Sequence, residues 1–412
     1  MPHRPYEDVR VEGHLIDSGI MSQIMDTIVA LDGEFETLSF EVGRTNEDAS
    51  VAEMRVKGRD QEHLEELLGS VQLFGVVPLH PDDAVLAPVP CDGVFPEGFY
   101  STTNLETAVR IGGLWVRVEN PEMDLGIRVD PTTGTAETIP MADTREGELF
   151  VVGHGGLRVQ PIERPRAGQA FEFMNSAVSS EKPKAQVVAE IARMLREVRA
   201  AGKEVIAVVG PAVVHTGAAG HLARLVEMGY VSVLFGGNAV ATHDIESAIY
   251  GTSLGVSISE GIPKVGGHEH HLRAINTIRR VGGIRQAVEQ GVLTEGLMYT
   301  LVKTGTPYVL AGSIRDDGPL PDVITDAVDA QRAMRPYCRT AGACIMLSTM
   351  LHSIATGNML PAAVTTVCVD INPAVVTKLS DRGSFQTIGI VTDVGLFLGQ
   401  VADDLASTYH PE

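Results

Sequence analysis

Three patterns of apolar and polar positions succeed one another along the chain. Between residues 8 and 78, short alternating stretches interleave with two segments of helical period. VRVEGHL (9–15) alternates as a strand, and residues 18–31 place Ile20, Ile24, Ile28 and Leu31 at helical spacing. Residues 35–42 and 50–56 alternate again. Asp60 stands where an N-cap stands, ahead of Leu64, Leu67 and Leu68, and 74–77 closes the set. The order βαββαβ predicts a ferredoxin-like domain over residues 1–80. Such a domain hosts many functions and fixes none.

The pattern then changes. HPDDAVLAPVPCDGVFPEG, with Pro81, Pro88, Pro90 and Pro96, reads as a linker. VRIGGLWVRVE, DLGIRVD, TAETIPM and ELFVVGHGGLRVQPIE follow as short strands between Gly and Asp turns. That spacing predicts a small β-barrel or sandwich over 81–175, with Trp115 in its core. After the polar connector SAVSSEKPK comes a helix over 185–200. Six near-continuous apolar runs then alternate with helical segments: 204–210, 231–237, 307–313, 343–348, 365–371 and 387–393. Strands buried on both faces read this way, so residues 176–412 predict a Rossmann-like parallel sheet covered by helices. The chain is thus read as a three-domain α/β protein. Ligands of such sheets bind outside the carboxyl ends of the strands.

Charge and cysteine content narrow the function. With 32 Lys and Arg against 53 Asp and Glu, the formal charge is −21, which argues against a nucleic-acid surface or an anionic membrane as partner. No apolar run reaches the roughly 18–20 residues of a spanning helix, and the N-terminus lacks signal or transit character. Cys91, Cys338, Cys344 and Cys368 form no CxxC, so no structural metal site or disulfide framework is indicated; Cys344 and Cys368 read as core thiols. The expectation is a cytoplasmic enzyme acting on a small molecule.

Candidate chemistry gathers at the strand tails. The tail GPAVVHTG (210–217) is followed by Gly236, Gly237 and Asn238, with His243 and Asp244 further along. Paired glycines at a strand-to-helix turn let N–H groups approach a pyrophosphate, although G-x-G-x-x-G is absent. Gly312, Ser313, Arg315, Asp316 and Asp317 share a third tail. Asp370 and Asn372 end the fifth run, and Asp381, Ser384, Thr392 and Asp393 surround the sixth. An acidic residue at a strand end suits a ribose diol, while Asp316, Asn372 and Asp393 also stand where N-caps stand. GGHEHH (266–271) lacks H-E-x-x-H spacing. It reads as a helix start that presents His268 or Glu269 to the crevice for acid–base work, or as a solvated turn. Lys303 is either a base or carboxylate clamp, or a surface lysine.

Taken together, GHLIDSG, FEVGRTNEDAS and MRVKGRD near the start resemble the LOR/SDH conserved region. GPAVVHTGAAGHLARLVEMGYV, FGGNAVATHDIE, LAGSIRDDGPLPDV, STMLHSIATGNMLP and CVDINPAVVTKLSDRGS resemble the rest of the archaeal-type ornithine cyclodeaminase family, which is similar to the carboxyl-terminal half of cyanobacterial arginine-degrading fusions. The resemblance runs from about residue 8 to 405. It implies a nucleotide domain like the NAD-binding fold of deoxyhypusine synthase, tightly held NAD, and a homo-oligomer. It also implies a redox-neutral reaction of ornithine catabolism and proline formation. In it, Cα of L-ornithine is oxidised by bound NAD, the δ-amine attacks C2, ammonia leaves, and returned hydride gives L-proline. The arginine dihydrolase domain of the fusions has no counterpart here, so no action on arginine is expected.

Within that implied reaction, Asp316 or Asp317 is expected on the substrate ammonium groups and Arg315 or Lys303 on the carboxylate. His268 or Glu269 is the expected proton shuttle, and Gly236, Gly237 and Asn238 would hold the pyrophosphate with Asp370 on a ribose. The competing readings are an NAD-dependent saccharopine- or ornithine-type dehydrogenase, a deoxyhypusine-synthase-like transferase using Lys303, and a non-catalytic amino-acid or NAD sensor.

Overall fold

The computed structural model describes residues 4–16, 18–44, 48–161, 184–254, 256–257, 269–316, 318–380 and 387–409. The chain divides into two compact units, 1–169 and 170–412.

The first unit opens with β1 (Tyr6–Gly13), α1 (Ile20–Ala30), β2 (Glu34–Glu41), β3 (Ser50–Lys57), α2 (Gln61–Gln72) and β4 (Val77–Pro78). These elements follow the βαββαβ order, and the strands assemble as β2-β3-β1-β4. In the antiparallel β1–β3 pair, Val9 lies opposite Met54 and Val11 opposite Ala52. Those four side chains bury against the apolar stripe of the helices, where Ile24, Ile28, Leu67 and Val71 are fully buried. Asp60 caps α2 by accepting the His63 N–H at 2.9 Å.

Seven further strands follow: β5 (Val85–Pro88), β6 (Thr107–Ile111), β7 (Leu114–Glu119), β8 (Gly126–Asp130), β9 (Thr135–Ile139), β10 (Leu149–Val152) and β11 (Leu157–Val159). They form one curled sheet in the order β11-β6-β7-β9-β8-β10-β5, so its two edges are β11 and β5. Val109, Val118, Ile127 and Val151 fill its concave core. Trp115 is not in that core. It is half-buried on β7, with the Arg158 guanidinium over its ring at 4.9 Å, an arrangement that suits an indole at a wet boundary.

In the second unit, α3 (Lys184–Ala200) leads into β12 (Glu204–Val209), α4 (Ala212–His215), α5 (Ala219–Glu227), β13 (Val233–Gly237) and α6 (Asn238–Tyr250). A ribbon of β14 (Thr252–Ser253) and β15 (Val256–Ser257) precedes α7 (His270–Val281), α8 (Ile284–Glu289) and α9 (Leu297–Thr304). Then come β16 (Tyr308–Ala311), β17 (Val323–Ile324), α10 (Ala327–Thr340), β18 (Ala341–Leu347) and α11 (Leu351–Met359). The chain ends with β19 (Thr365–Asp370), α12 (Pro373–Ser380), β20 (Thr387–Val391) and α13 (Val394–Ala406).

All seven strands of the main sheet pair in parallel, in the order β17-β16-β13-β12-β18-β19-β20. Successive residues of each strand enter opposite cores. Val205, Ala207 and Val209 pack with α3, α5 and α13, whereas Ile206 and Val208 pack with α10, α11 and α12. This double burial explains the unbroken apolar runs. Cys344 and Cys368 lie inside these strands, and burial pushes both thiols up, Cys368 to about 12. Among the described residues, no helix is long and apolar enough to cross a membrane.

Candidate functional site

The chain builds outward from β12 through β13, β16 and β17, then returns to the other flank of β12 with β18, β19 and β20. Between β12 and β18 the direction of build reverses, and the connections at the carboxyl ends diverge to leave a crevice. A cavity of about 300 Å³ occupies that place. Pro211 lines it after β12, Gly237 and Asn238 after β13, Asp316 after β16, and Met350 and His352 after β18.

Two helices begin at this cavity. Gly237, with extended backbone, precedes α6, and Met350 precedes α11; neither helix start receives a side-chain cap. Their first-turn N–H groups and the positive ends of their dipoles therefore suit an anion. Close approach favours glycine at two positions and requires it at a third. A Cβ on Gly236 would fall 2.7 Å from Val240 Cγ1, and one on Gly237 would fall 3.0 Å from His352 Cε1. One on Gly210 would fall 2.1 Å from the Ser348 carbonyl oxygen, which pins the ends of β12 and β18 together. Ser348 itself takes φ 50°, a left-handed conformation rare outside glycine.

Asn238 braces the β16 tail. Its side-chain N–H donates to Asp316 Oδ1 at 3.3 Å, and its Oδ1 accepts the Leu320 N–H at 3.0 Å. Asp316 also accepts the Ser313 N–H at 2.8 Å, so its carboxylate is held at the cavity wall. Burial lowers the His352 pKa, which favours the neutral imidazole.

The remaining candidates separate into groups. Asp370, Asn372, Thr392 and Asp393 gather at the neighbouring tails of β19 and β20. There the Asn372 N–H donates to Asp370 Oδ1 at 2.8 Å, and the Thr392 N–H to the Asp370 carbonyl at 3.2 Å. Asn372 accepts the Ala374 N–H, and Asp393 caps α13 through the Leu396 N–H. Gly312 donates its N–H to the Ile324 carbonyl beside the short edge strand β17. Arg315 is exposed on the same tail.

Four residues face elsewhere. His243 turns to Glu246, with Nδ1 2.9 Å from Oε2, because its place on the second turn of α6 points away from the first-turn N–H groups. Asp244 is buried and accepts the N–H groups of Leu297 and Met298, making it the cap of α9 rather than a crevice group. Glu269 is paired with Arg273 on the exposed start of α7. Lys303 is exposed near the end of α9, before the amino end of β16, and so stands at the edge of the sheet opposite the crevice. Asp317, His268, Asp381 and Ser384 lie outside the described residues.

His352 and the start of α11 were not among the candidates from sequence. The available signal was STMLHS, a histidine four residues beyond an apolar run, but only the strand order brings that tail beside β12 and β13. Among the described residues, no three His, Cys, Asp or Glu side chains are grouped to hold a metal ion.

Comparison with known proteins matches the chain in three consecutive segments. Residues 6–105 match the LOR/SDH bifunctional enzyme conserved region, and 106–188 the first region of the arginine dihydrolase ArgZ-like C-terminal part. Residues 189–401 match its Rossmann fold. A protein of Methanopyrus kandleri named ornithine cyclodeaminase is 54% identical over 400 residues, covering 97% of both chains. The bifunctional arginine dihydrolase/ornithine cyclodeaminase AgrE of Nostoc sp. is 47% identical over 97% of this chain and 58% of its own length. A solved ternary complex of AgrE with ornithine and NAD+ covers 98% of this chain and 58% of that one at 45% identity, with TM-score 0.53. The apo structure of the cyanobacterial arginine dihydrolase ArgZ is 41% identical over 98% of this chain and 59% of that one, with TM-score 0.86.

Proposed function

This chain belongs to the family of archaeal ornithine cyclodeaminases and ArgZ-like carboxyl-terminal regions, and from that premise we propose that it converts L-ornithine to L-proline and ammonia with retained NAD. The observation that carries the reading is the crevice itself: two uncapped helix starts and a close-approach glycine at the reversal point of a parallel sheet, faced by a carboxylate and a half-buried imidazole. The relatives named ornithine cyclodeaminase, and the AgrE complex with ornithine and NAD+, support the choice of substrate and cofactor.

The residues present fit a dinucleotide. A Cβ at Gly237 would narrow the cradle against His352, and the N–H groups opening α6 and α11 offer a pyrophosphate donors without competing side-chain acceptors. Gly236, Gly237 and Asn238 would hold that group, and Asp370 at the tail of β19 would take a ribose hydroxyl. When bound, NAD supplies a reversible hydride acceptor, so oxidation and reduction at Cα cancel over one turnover.

The chain's own groups do the remaining work. Asp316 places a carboxylate on the cavity wall for a substrate ammonium, and Arg315, exposed on the same tail, would take the substrate carboxylate. Asn238 fixes Asp316, so that charge is preorganised rather than recruited from solvent. Val209, Ala311 and Leu351 line the cavity with apolar surface.

The match of 6–105 to the LOR/SDH region keeps a second reading, an NAD-dependent amino-acid dehydrogenase. One assay separates them: purified protein, L-ornithine and catalytic NAD, followed for proline, ammonia and reduced-nicotinamide absorbance. Equal proline and ammonia without accumulating NADH supports the cyclodeaminase. NADH rising with each turnover supports the dehydrogenase, and no product defeats both.

A further inference from the structure

One helical turn beyond Pro211, packed against α6, lies a second polar cluster. His215 closes α4, the single turn that leaves the carboxyl end of β12. Its N–H donates to the Pro211 carbonyl at 3.1 Å, so it stacks one turn beyond a residue that lines the crevice. The His215 ring is half-exposed, and its Nδ1 lies 2.6 Å from Ser253 Oγ. Its ring centroid is 4.8 Å from that of His243, edge to face. His243 Nδ1 meets Glu246 Oε2 at 2.9 Å, and Glu246 Oε1 accepts the Thr252 hydroxyl at 2.9 Å. Thr252 Oγ1 in turn lies 2.8 Å from His270 Nδ1. Glu246 is fully buried and His243 nearly so.

A helix that needed only to pack would not place a carboxylate at zero exposure behind two imidazoles. Burying an ion is costly unless partners compensate it, and such an arrangement is one that acid–base sites retain. We propose that His215, backed by the buried His243–Glu246 pair and oriented by Ser253, moves protons between the two amines of the substrate. The inference rests on the cyclodeaminase reading. It gives the proton-shuttling role first sought at His268 or Glu269 to a different tail.

The proton balance closes without a further reagent. His215 takes a proton from the δ-ammonium, which frees that nitrogen to form its bond to C2. The bond from C2 to the α-nitrogen then breaks, and the proton goes to that nitrogen as it leaves as ammonia. Hydride removed from C2 is restored there, so ornithinium gives proline and ammonium with no net oxidation.

The groups that surround His215 fit a base. Burial and the His243 ring lower its pKa, and Glu246 opposes them, so the imidazole is neutral near pH 7 and ready to accept a proton. His271, on α7, stands with its ring 6.3 Å from that of His243. The carboxylates of the packed C-terminal helix, Asp403 and Asp404, are held by Arg224 and Arg196.

The test compares the wild-type chain with His215→Gln, Ser253→Ala and Glu246→Gln, measuring kcat and its pH profile, NAD affinity by calorimetry, and thermal midpoint. His215→Gln is expected to lose at least about 100-fold in kcat with NAD affinity unchanged. Glu246→Gln is expected to move the acid limb of the profile to lower pH, because the charge that favours His215 protonation is gone. Ser253→Ala removes only a hydroxyl and leaves the fold intact; it is expected to lower kcat several-fold with an altered limb. His215→Gln within threefold of wild type, or unaltered pH profiles in Ser253→Ala, overturns the inference alone. A wild-type chain that makes no proline from ornithine overturns the cyclodeaminase reading, and this inference with it.

Discussion

Asp244→Asn distinguishes a cofactor ligand from a helix cap by the pH dependence of folding. Asp244 is 2% exposed and accepts the N–H groups of Leu297 at 2.9 Å and Met298 at 2.7 Å. Gly296, at φ 100°, lets the start of α9 come close enough that a Cβ there would fall 2.9 Å from Asp244 Oδ2. Burial raises the carboxyl pKa to about 6, although the two N–H donors pull it down. An unfolded aspartate titrates near about 3.9. The folded state thus holds the proton more tightly, and the stability it gains is complete below about pH 4 and lost as pH rises through about 6. About two units at roughly 1.4 kcal/mol each make the ionised form cost about 3 kcal/mol at neutral pH, of which about 2 kcal/mol falls between about pH 4.5 and 7.5. Asparagine has no such titration, but its amide turns a donor toward one of the two N–H groups, at a cost of about 1–3 kcal/mol. At neutral pH the two effects nearly offset, so the slope is the informative quantity. Urea unfolding followed by far-ultraviolet circular dichroism across that window should show the variant gaining about 2 kcal/mol on wild type as pH rises, with NAD affinity unchanged. Parallel stability curves would refute the reasoning, and a tenfold weaker NAD affinity would return Asp244 to the cofactor.

Three further outcomes are expected. Gly237→Ala should weaken NAD binding at least about tenfold, roughly 1.4 kcal/mol, because the added methyl meets the His352 ring at 3.0 Å; calorimetry showing an unchanged Kd would remove the cradle from this turn. Lys303→Ala should leave kcat and KM within about twofold, since an exposed side chain at the opposite edge of the sheet contributes within about 0.5 kcal/mol; a large kcat loss in steady-state assays would restore its proposed role. L-lysine, one methylene longer, should be turned over about 10- to 200-fold less efficiently than L-ornithine in kcat/KM, and equal efficiency would show that the pocket does not measure chain length.

Much of the fold was legible because burial imposes a period. In β3, Ser50, Ala52, Met54 and Val56 face the core while their neighbours are half-exposed, so alternation marked the strand. In β12 the residues Val205–Val209 are all buried, alternately in two cores, so a continuous run marked a different kind of strand. Where burial imposes nothing, the pattern misled or fell silent. β2 alternates in sequence, yet Leu38 and Phe40 are exposed, because it is an edge strand with little packed on it. β17 has two residues and β14–β15 two each, too few for any period. The curled sheet depends on pairings between distant segments, including the parallel contact of β7 with β9, and no local spacing encodes those.

The site divides along the same line. Which residues stand at strand ends is a local property, and glycines ahead of Asn238 and Asp316, with Asp370 closing an apolar run, announced it. Which ends stand together is a property of strand order. β18 pairs with β12 although more than 130 residues separate them in sequence, and that pairing alone brings His352 to within reach of Gly237. The same order places the tails of β19 and β20 one and two strands beyond, where Asn372 and Asp393 are occupied by helix capping and Asp370 carries the only proposed cofactor role. Helical phase decides the rest. Asn238, His243 and Asp244 lie within seven residues of one helix, yet they face three destinations: the crevice tail, the buried Glu246, and the start of α9. A reading that treats the residues after a strand as one binding loop must therefore assign some of them wrongly. Position along the turn, rather than nearness in sequence, separates the pyrophosphate cradle from the acid–base cluster and from the cap.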